Sequence, residues 1–357
     1  MTPPLVTLEE HFFSSTVPES LQNQYSVQLK HVPSLLAKLR DLGDLRLQHM
    51  DAGGVALQVV SHAPGLSTAT GEHSGSHSTS PDGGPVQGCR RANDHLAEAI
   101  RAKTGAGRLA AFAVLPMGSP GEAALELRRC VRDLGFVGAL VDNHVGGSYY
   151  EGEPYDVFWQ AAEELGVPVY LHPTWPDEDP REAVAGRIPA GNPEANDKGH
   201  SRMSEMAALS IAAGGFGWHA SVGMHVLRLY ADGLFDRFPR VKLIIGHFGE
   251  MLPFMLERIY FLSPRWGSFT RDFKAAWDEN IWITTSGVWS LNPMRCILHN
   301  TKVEHILYSV DYPFQTNENG LAWVKELEAS GLVTPEQLER IAYKNAESLL
   351  GIQVPTP

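Results

Sequence analysis

Short apolar runs separated by helical patterns recur along the whole chain. The first, Leu5-Val6-Thr7-Leu8-Glu9, reads as a strand. A helical pattern from about Ser34 to Met50 follows and stops at Gly53-Gly54. The alternation then continues. Strands are predicted at 55–61, 109–115, 136–141, 167–171, 241–245, 281–284 and 305–309. Helices are predicted over about 90–103, from 119, over 154–165 and 221–235, from 251, and over 335–350. Ser119-Pro120-Gly121-Glu122 has the make-up of a capping box, with Pro at the first helical position. The strand cores are continuously apolar, as in a parallel sheet covered by helices. Eight such units favour a closed (β/α)8 TIM barrel, in one domain spanning 1–357. The competing doubly wound sheet is weakened because no G-x-G-x-x-G follows the first strand and no Walker pattern occurs. Two segments break the rhythm, after strands two and five. Residues 63–85 are rich in Ser, Gly, Thr and His, and 173–215 are Pro- and Gly-rich and charged. Loops of that length act as lids or interfaces, or stay disordered.

Composition narrows the partners. The 357 residues are 43% hydrophobic and 20% charged, with a net charge of −12. That balance argues against nucleic acid or an anionic membrane, and it means an anionic substrate needs local positive charge. No apolar run approaches the roughly 20 residues of a membrane span. Met1-Thr2-Pro3-Pro4 lacks the start of a signal peptide. Cys89, Cys130 and Cys296 are far apart in helix-like segments and read as reduced, buried thiols of a cytoplasmic protein.

Chemistry gathers at the C-terminal ends of the predicted strands. Strand one ends in Glu9-Glu10-His11, whose first and third side chains share a face, while Glu10 points away as a supporting group. Strand five ends in His172-Pro173, strand six runs into Gly246-His247-Phe248-Gly249-Glu250, and strand eight reaches Asp311. In a parallel barrel these ends converge on one rim. Glu9, His11, His172 and Asp311 make a mixed N/O set suited to Zn²⁺, Mn²⁺ or a similar divalent ion. A lone strand-end histidine is more often a structural hydrogen-bonder; the coincidence of separate strands lifts this set above that. His62, His144 and His219 fall near strand ends or in loops, where they line a pocket or merely sit in polar surroundings. His73-Ser74-Gly75-Ser76-His77 reads better as a solvated loop than as a metal site.

Leu8-Glu9-Glu10-His11-Phe12, Tyr170-Leu171-His172-Pro173, Ile245-Gly246-His247-Phe248-Gly249-Glu250, Thr284-Thr285-Ser286-Gly287 and Ser309-Val310-Asp311-Tyr312-Pro313-Phe314 resemble the motifs of the amidohydrolase-superfamily non-oxidative aromatic acid decarboxylases. The γ-resorcylate (2,6-dihydroxybenzoate) decarboxylases match most closely, with 2,3-dihydroxybenzoate and salicylate decarboxylases as near relatives. Residues 130–141 and 233–239 match too, so the resemblance covers essentially the whole chain. It implies one divalent metal (Zn²⁺ or Mn²⁺, or Mg²⁺) held by Glu9, His11, His172 and Asp311, and no organic cofactor. It implies that His247 and Glu250 form a catalytic hydrogen-bonded pair supported by Arg258. Trp218 would lie over the substrate ring, with Phe12, Pro313 and Phe314 also at the substrate. Asp311 would protonate the ring carbon as a small ortho-hydroxylated benzoate loses CO₂, and the enzyme would be a homodimer or homotetramer. The two long loops depart from the family pattern, as does His62. The opening Glu-x-His, and the absence of a lysine at the end of strand four, argue against a binuclear hydrolase site. The competing reading is a lactonase-like hydrolase using a metal-bound hydroxide.

Overall fold

A computed structural model of the chain describes residues 2–16, 25, 29–30, 32–67, 84–102, 107–176 and 203–355. All eight expected strands are present and parallel: β1 (Leu5–Phe12), β2 (Val55–His62), β3 (Leu109–Ala111), β4 (Ala139–Asp142), β5 (Pro168–His172), β6 (Lys242–Ile245), β7 (Ile281–Thr284) and β8 (Ile306–Leu307). They form an α/β fold with the strands in sequence order. The expected continuous closed barrel is not what the ladders show. β1-β2-β3 make one sheet and β4 to β8 another. At the two seams only isolated bridges occur, Ala113 to Ala139 and Glu10 to Tyr312. The reason is local: β3 keeps only three paired residues of the expected seven, and β8 only two.

Two apolar layers hold the strands. Val6, Leu8, Leu57, Val59, Phe112, Leu140, Tyr170, Ile244 and Leu307 pack against one another inside the sheets, and Ala346, Leu349 and Leu350 of the last helix join them. The alternate residues, such as Leu5, Val60, Val169, Leu243 and Ile283, pack outward under the helices. Burying a Leu or Ile side chain is worth about 1.5–3 kcal/mol. Both faces are therefore driven inward, as the unbroken apolar runs require.

Several local expectations change. The helix expected over 34–50 is two, Leu35–Arg40 and Asp44–Ala52. Asp41 Oδ1 between them accepts the backbone N–H groups of Gly43 and Arg46, at 3.1 and 2.7 Å. The helix Pro120–Asp133 begins where expected, but Ser119 forms no capping box: its ψ of 81° leaves the side chain without a cap hydrogen bond. A complete capping box occurs instead at Thr334 and Gln337, where Thr334 has ψ 161°. The long segment after β5 carries a helix, Glu205–Ala212, ahead of Gly217–Ala231. Cys89 and Cys130 are buried thiols, whereas Cys296 is half-buried. His73 and His77 lie outside the described residues. Among the described residues no helix is long and apolar enough to cross a membrane.

Candidate metal centre and its histidine–carboxylate relay

β1 delivers its two site residues through a β-bulge. Thr7 pairs with Gln58 and Glu10 with Val60, so β1 carries one more residue than β2 across that interval. The bulge reverses the alternation. Val6 and Leu8 face the inner core, yet beyond the bulge Glu9 and His11 face inward too. Ser309 Oγ accepts the N–H groups of both Leu8 and Glu9, at 3.0 and 2.8 Å, which satisfies the amides at the irregularity. Glu10, on the opposite face, ties β1 to the turn that carries Asp311. It accepts Val310 N–H at 3.2 Å and Tyr312 N–H at 3.0 Å, and burial pushes its carboxyl up to about 8 against those bonds. Asp311 sits in the left-handed region at φ 74°, next to a cis Tyr312–Pro313 bond. His11 N–H donates to the Tyr312 carbonyl at 2.7 Å, completing the tie.

Glu9, His11, His172 and Asp311 each present one ligand atom, and these atoms all lie within 4.8 Å of one another. Glu9 is fully buried and splits its oxygens. Oε2 accepts from Tyr170 and Ser286 hydroxyls, while Oε1 has no hydrogen-bond donor. His172 Nδ1 lies 2.7 Å from the Pro173 carbonyl, which can only accept, so that nitrogen carries the proton. Its Nε2 then points a lone pair at Glu9 Oε1, 3.0 Å away. Both ring nitrogens of His11 lack hydrogen-bond partners, and Nε2 faces Asp311 Oδ1 at 3.3 Å. Buried lone pairs turned on one another are costly unless a cation or proton lies between them. The donor set therefore fits a divalent ion, and the Pro173 carbonyl is the kind of partner that orients a ligating imidazole. Burial pushes the Glu9 carboxyl up, but His247 and His172 outweigh it and hold it well below the usual carboxylate range. Burial, with His172 beside it, drives His11 down despite Asp311, whereas Glu9 and Asp311 outweigh burial at His172 and raise it.

A second cluster stands beside the first. After β6 the backbone turns through His247, Phe248, Gly249, Glu250 and Met251, all with φ between 50° and 87°. Left-handed non-glycine residues cost roughly 1–2 kcal/mol each. The turn brings His247 Nδ1 within 2.8 Å of Glu250 Oε1. Glu250 Oε2 meets His219 Nδ1 at 2.6 Å, and His219 Nε2 meets the Gly214 carbonyl at 3.0 Å. Burial raises Glu250 but His247 and His219 bring it down to about 2, and the two carboxylates Glu250 and Glu9 overcome burial at His247 and lift it to about 10. His247 Nε2 looks back at Glu9 Oε1 from 3.7 Å. Gly246 is needed here for close approach: a Cβ would stand 3.0 Å from the Tyr170 hydroxyl and 3.1 Å from Glu9 Oε2. At Gly287, a Cβ would stand 3.4 Å from His247 Nε2 and 3.8 Å from Asp311 Oδ2.

A cavity of about 220 Å³ opens over both clusters. His172, His247 and Asp311 line one side, and Tyr25, Trp175, Trp218 and Phe314 wall it with aromatic faces. Tyr25 and Phe314 stack at 5.9 Å, and Trp175 meets Trp218 edge-on at 4.9 Å. Three expectations change at this point. Phe12 lies on the Glu10 face of β1 and packs in the core against His62 and His95, away from the cavity. Pro313 is buried beside the cavity lining, which Phe314 supplies. Arg258 is exposed on the helix Leu252–Leu262, and no bond to the His247–Glu250 pair occurs among the described residues; His219 occupies the second oxygen of Glu250 instead. His62 turns Nδ1 to the Ala63 carbonyl at 2.7 Å, and His144 accepts from Gly147 N–H at 3.3 Å; neither lines the cavity. Tyr25 and Trp175 carried no sequence signal, because neither falls in a predicted strand or helix whose period would mark it.

The sequence model of the amidohydrolase family matches residues 86–352. The chain belongs to the amidohydrolase family. Within it the relatives include aromatic acid decarboxylases. The chain is 50% identical to the decarboxylase orsB of Emericella nidulans, over 99% of both chains. It is 35% identical to the γ-resorcylate decarboxylase of a Rhizobium species, over 89% of this chain and 90% of that one. Among solved structures, a 2,6-dihydroxybenzoate decarboxylase complexed with 2,6-dihydroxybenzoate superposes with a TM-score of 0.79 at 30% identity, covering 98% of this chain and 100% of that one. A Polaromonas dihydroxybenzoic acid decarboxylase with manganese and the inhibitor 2-nitroresorcinol gives 0.79 at 28%, covering 98% and 97%.

Proposed function

We propose that this single-domain chain is a metal-dependent, reversible, non-oxidative decarboxylase. It converts an ortho-hydroxybenzoate, such as 2,6- or 2,3-dihydroxybenzoate or salicylate, to the phenol and CO₂ without an organic cofactor. Glu9, His11, His172 and Asp311 hold one divalent ion, Mn²⁺, Zn²⁺ or Mg²⁺. The observation that carries this reading is the set of unpartnered buried atoms, Glu9 Oε1 and both His11 ring nitrogens, with His172 Nε2 turned on Glu9 Oε1, beside an aromatic-walled cavity that His172 and Asp311 line. The manganese in the Polaromonas relative and the dihydroxybenzoate in the other structure support it.

When bound, the ion supplies the positive charge that an anionic carboxylate and its neighbouring phenolate oxygen require in a chain of net charge −12. The residues do the rest. Trp218 and Phe314 flank a planar ring and exclude water from it. Asp311, the cavity-facing carboxyl of the set, delivers a proton to the ring carbon bearing the carboxylate. Protonation first avoids an aryl carbanion, since the carbon–carbon electron pair then returns to the ring as CO₂ leaves. His247, held by Glu250 and facing the same space as Asp311, is the reservoir from which that proton is replaced. The exposed apolar side chains of Met224, Phe254 and Phe261 support assembly as a homodimer or homotetramer.

The test is an anaerobic panel of hydroxybenzoates with CO₂ detection on metal-quantified protein. Stoichiometric phenol and CO₂ are expected. Asp311→Asn should keep its metal and lose about 10²–10⁴-fold in turnover. Near-normal turnover in that variant removes Asp311 as proton donor. Metal-dependent lactone hydrolysis without CO₂ release from any panel member replaces the reading with a hydrolase.

A further inference from the structure

We infer that His219 is a positioning residue for this site: it locks the plane of Glu250, and through it the imidazole of His247, to the segment that carries the aromatic wall. The inference rests on the decarboxylase reading only for its kinetic consequence.

Four observations meet at His219. Its Nδ1 takes Glu250 Oε2 at 2.6 Å, the oxygen His247 does not use. Its Nε2 takes the Gly214 carbonyl at 3.0 Å. Its ring lies 4.7 Å from that of His247, crossed at 61°. It follows Trp218, which lines the cavity, in the first turn of the helix Gly217–Ala231.

A carboxylate held by one hydrogen bond still pivots about its Cγ–Cδ bond. One held at both oxygens does not. Glu250 is fully buried, so an oxygen deprived of its partner has no water to turn to. The rotation that recovers a bond for Oε2 takes Oε1 away from His247 Nδ1. His219 blocks that rotation. Both partners of His219 are acceptors, so a ring that donates from both nitrogens also joins the chain following the helix Glu205–Ala212 to the histidine–carboxylate pair. Trp218 and His247 therefore keep their spacing across the cavity by way of one side chain. Although His219, His247 and Glu250 stand close enough to hold an ion, their facing atoms are hydrogen-bonded to one another, which makes the group a latch. The arrangement differs from one built on Arg258, which is exposed on its helix.

The experiment uses metal-loaded full-length protein and two readouts. His219→Ala is expected to lower kcat by roughly 10–100-fold, the range for partners that orient a functional imidazole, with metal content unchanged and KM little changed. His219→Asn, whose side-chain amide N–H takes the place of Nδ1–H, should recover most of the loss. The second readout does not depend on turnover: a downfield imidazole N–H proton resonance, assigned by its loss in His247→Gln, should broaden or move in His219→Ala and return in His219→Asn. Should His219→Ala fold poorly, His219→Asn and His219→Leu carry the same contrast, bonded against unbonded. Wild-type kcat and an unmoved resonance in the unbonded variants would overturn the inference, as would equal losses in Asn and Leu. A moved resonance in a protein that decarboxylates no hydroxybenzoate would sink the proposed activity and leave the latch standing.

Discussion

Two clusters of ionisable side chains sit side by side beneath the cavity, and on distance alone either suits a metal ion. Glu9, His11, His172 and Asp311 form one; His219, His247 and Glu250 form the other. They differ in where their lone pairs go. In the first, Glu9 Oε1 and both nitrogens of His11 have no hydrogen-bond partner, and His172 Nε2 faces an acceptor. In the second, both carboxylate oxygens of Glu250 are taken by imidazole nitrogens, at 2.6 and 2.8 Å. Open lone pairs call for a cation, whereas closed pairs hold and move protons. Proximity of ligand-type residues is thus a weaker sign of a metal site than the number of their atoms left without a donor.

The largest test of that contrast is Glu9→Gln or His172→Gln. Elemental analysis should find the metal largely lost and turnover reduced to background, while Glu250→Gln keeps its metal. Metal retained in the first pair, or lost in the last, breaks the comparison. Glu250→Gln should itself lower kcat by about 10–100-fold. Its stability effect has a defined pH window in metal-stripped protein. His247, raised to about 10, contributes its full share below its ordinary 6.5 and loses it as pH climbs to 10. Glu250, lowered to about 2, contributes fully above its ordinary 4.5 and loses it as pH falls to 2. The stability deficit of Glu250→Gln in urea titrations should therefore be greatest and flat between 4.5 and 6.5, and shrink on either side. A deficit that grows above pH 8 contradicts the assignment of the ion pair. The smallest expected effect is at Arg258→Ala. Being exposed and unbonded to the pair, it should change kcat by less than about 2-fold, whereas a tenfold loss would return it to the site.

Parts of this were legible in the chain as written. The eight strands fall where continuous apolar runs place them, since a strand buried on both faces needs apolar residues at every position. Glu9 and His11 were recoverable from their spacing of two, and His172 and Asp311 from polar residues ending apolar strands. His219 was not singled out as the partner of Glu250. It sits on a helix surface among mixed residues, and only the folding of that helix beside the β6 turn brings it there. Tyr25 and Trp175 likewise reach the cavity from outside the strands and helices that the apolar pattern predicts. Ser119 shows the opposite failure: the right residues for a capping box, with a ψ that leaves the side chain unbonded.

β1 marks the boundary between the two kinds of information. Composition and alternation determined that Glu9 and His11 act together and that Glu10 faces away. They did not determine which way the pair faces. Read without interruption, alternation puts Glu9 on the side of Leu5 and Thr7, away from Val6, Leu8 and the cavity. The bulge opposite Gln58 and Val60 reverses that, and Ser309, some 300 residues on, accepts the two amides that make it tolerable. Side-chain spacing is a property of the local chain. Which face is inside depends on hydrogen bonds made across the fold, and those exist only once β8 has come to lie beside β1.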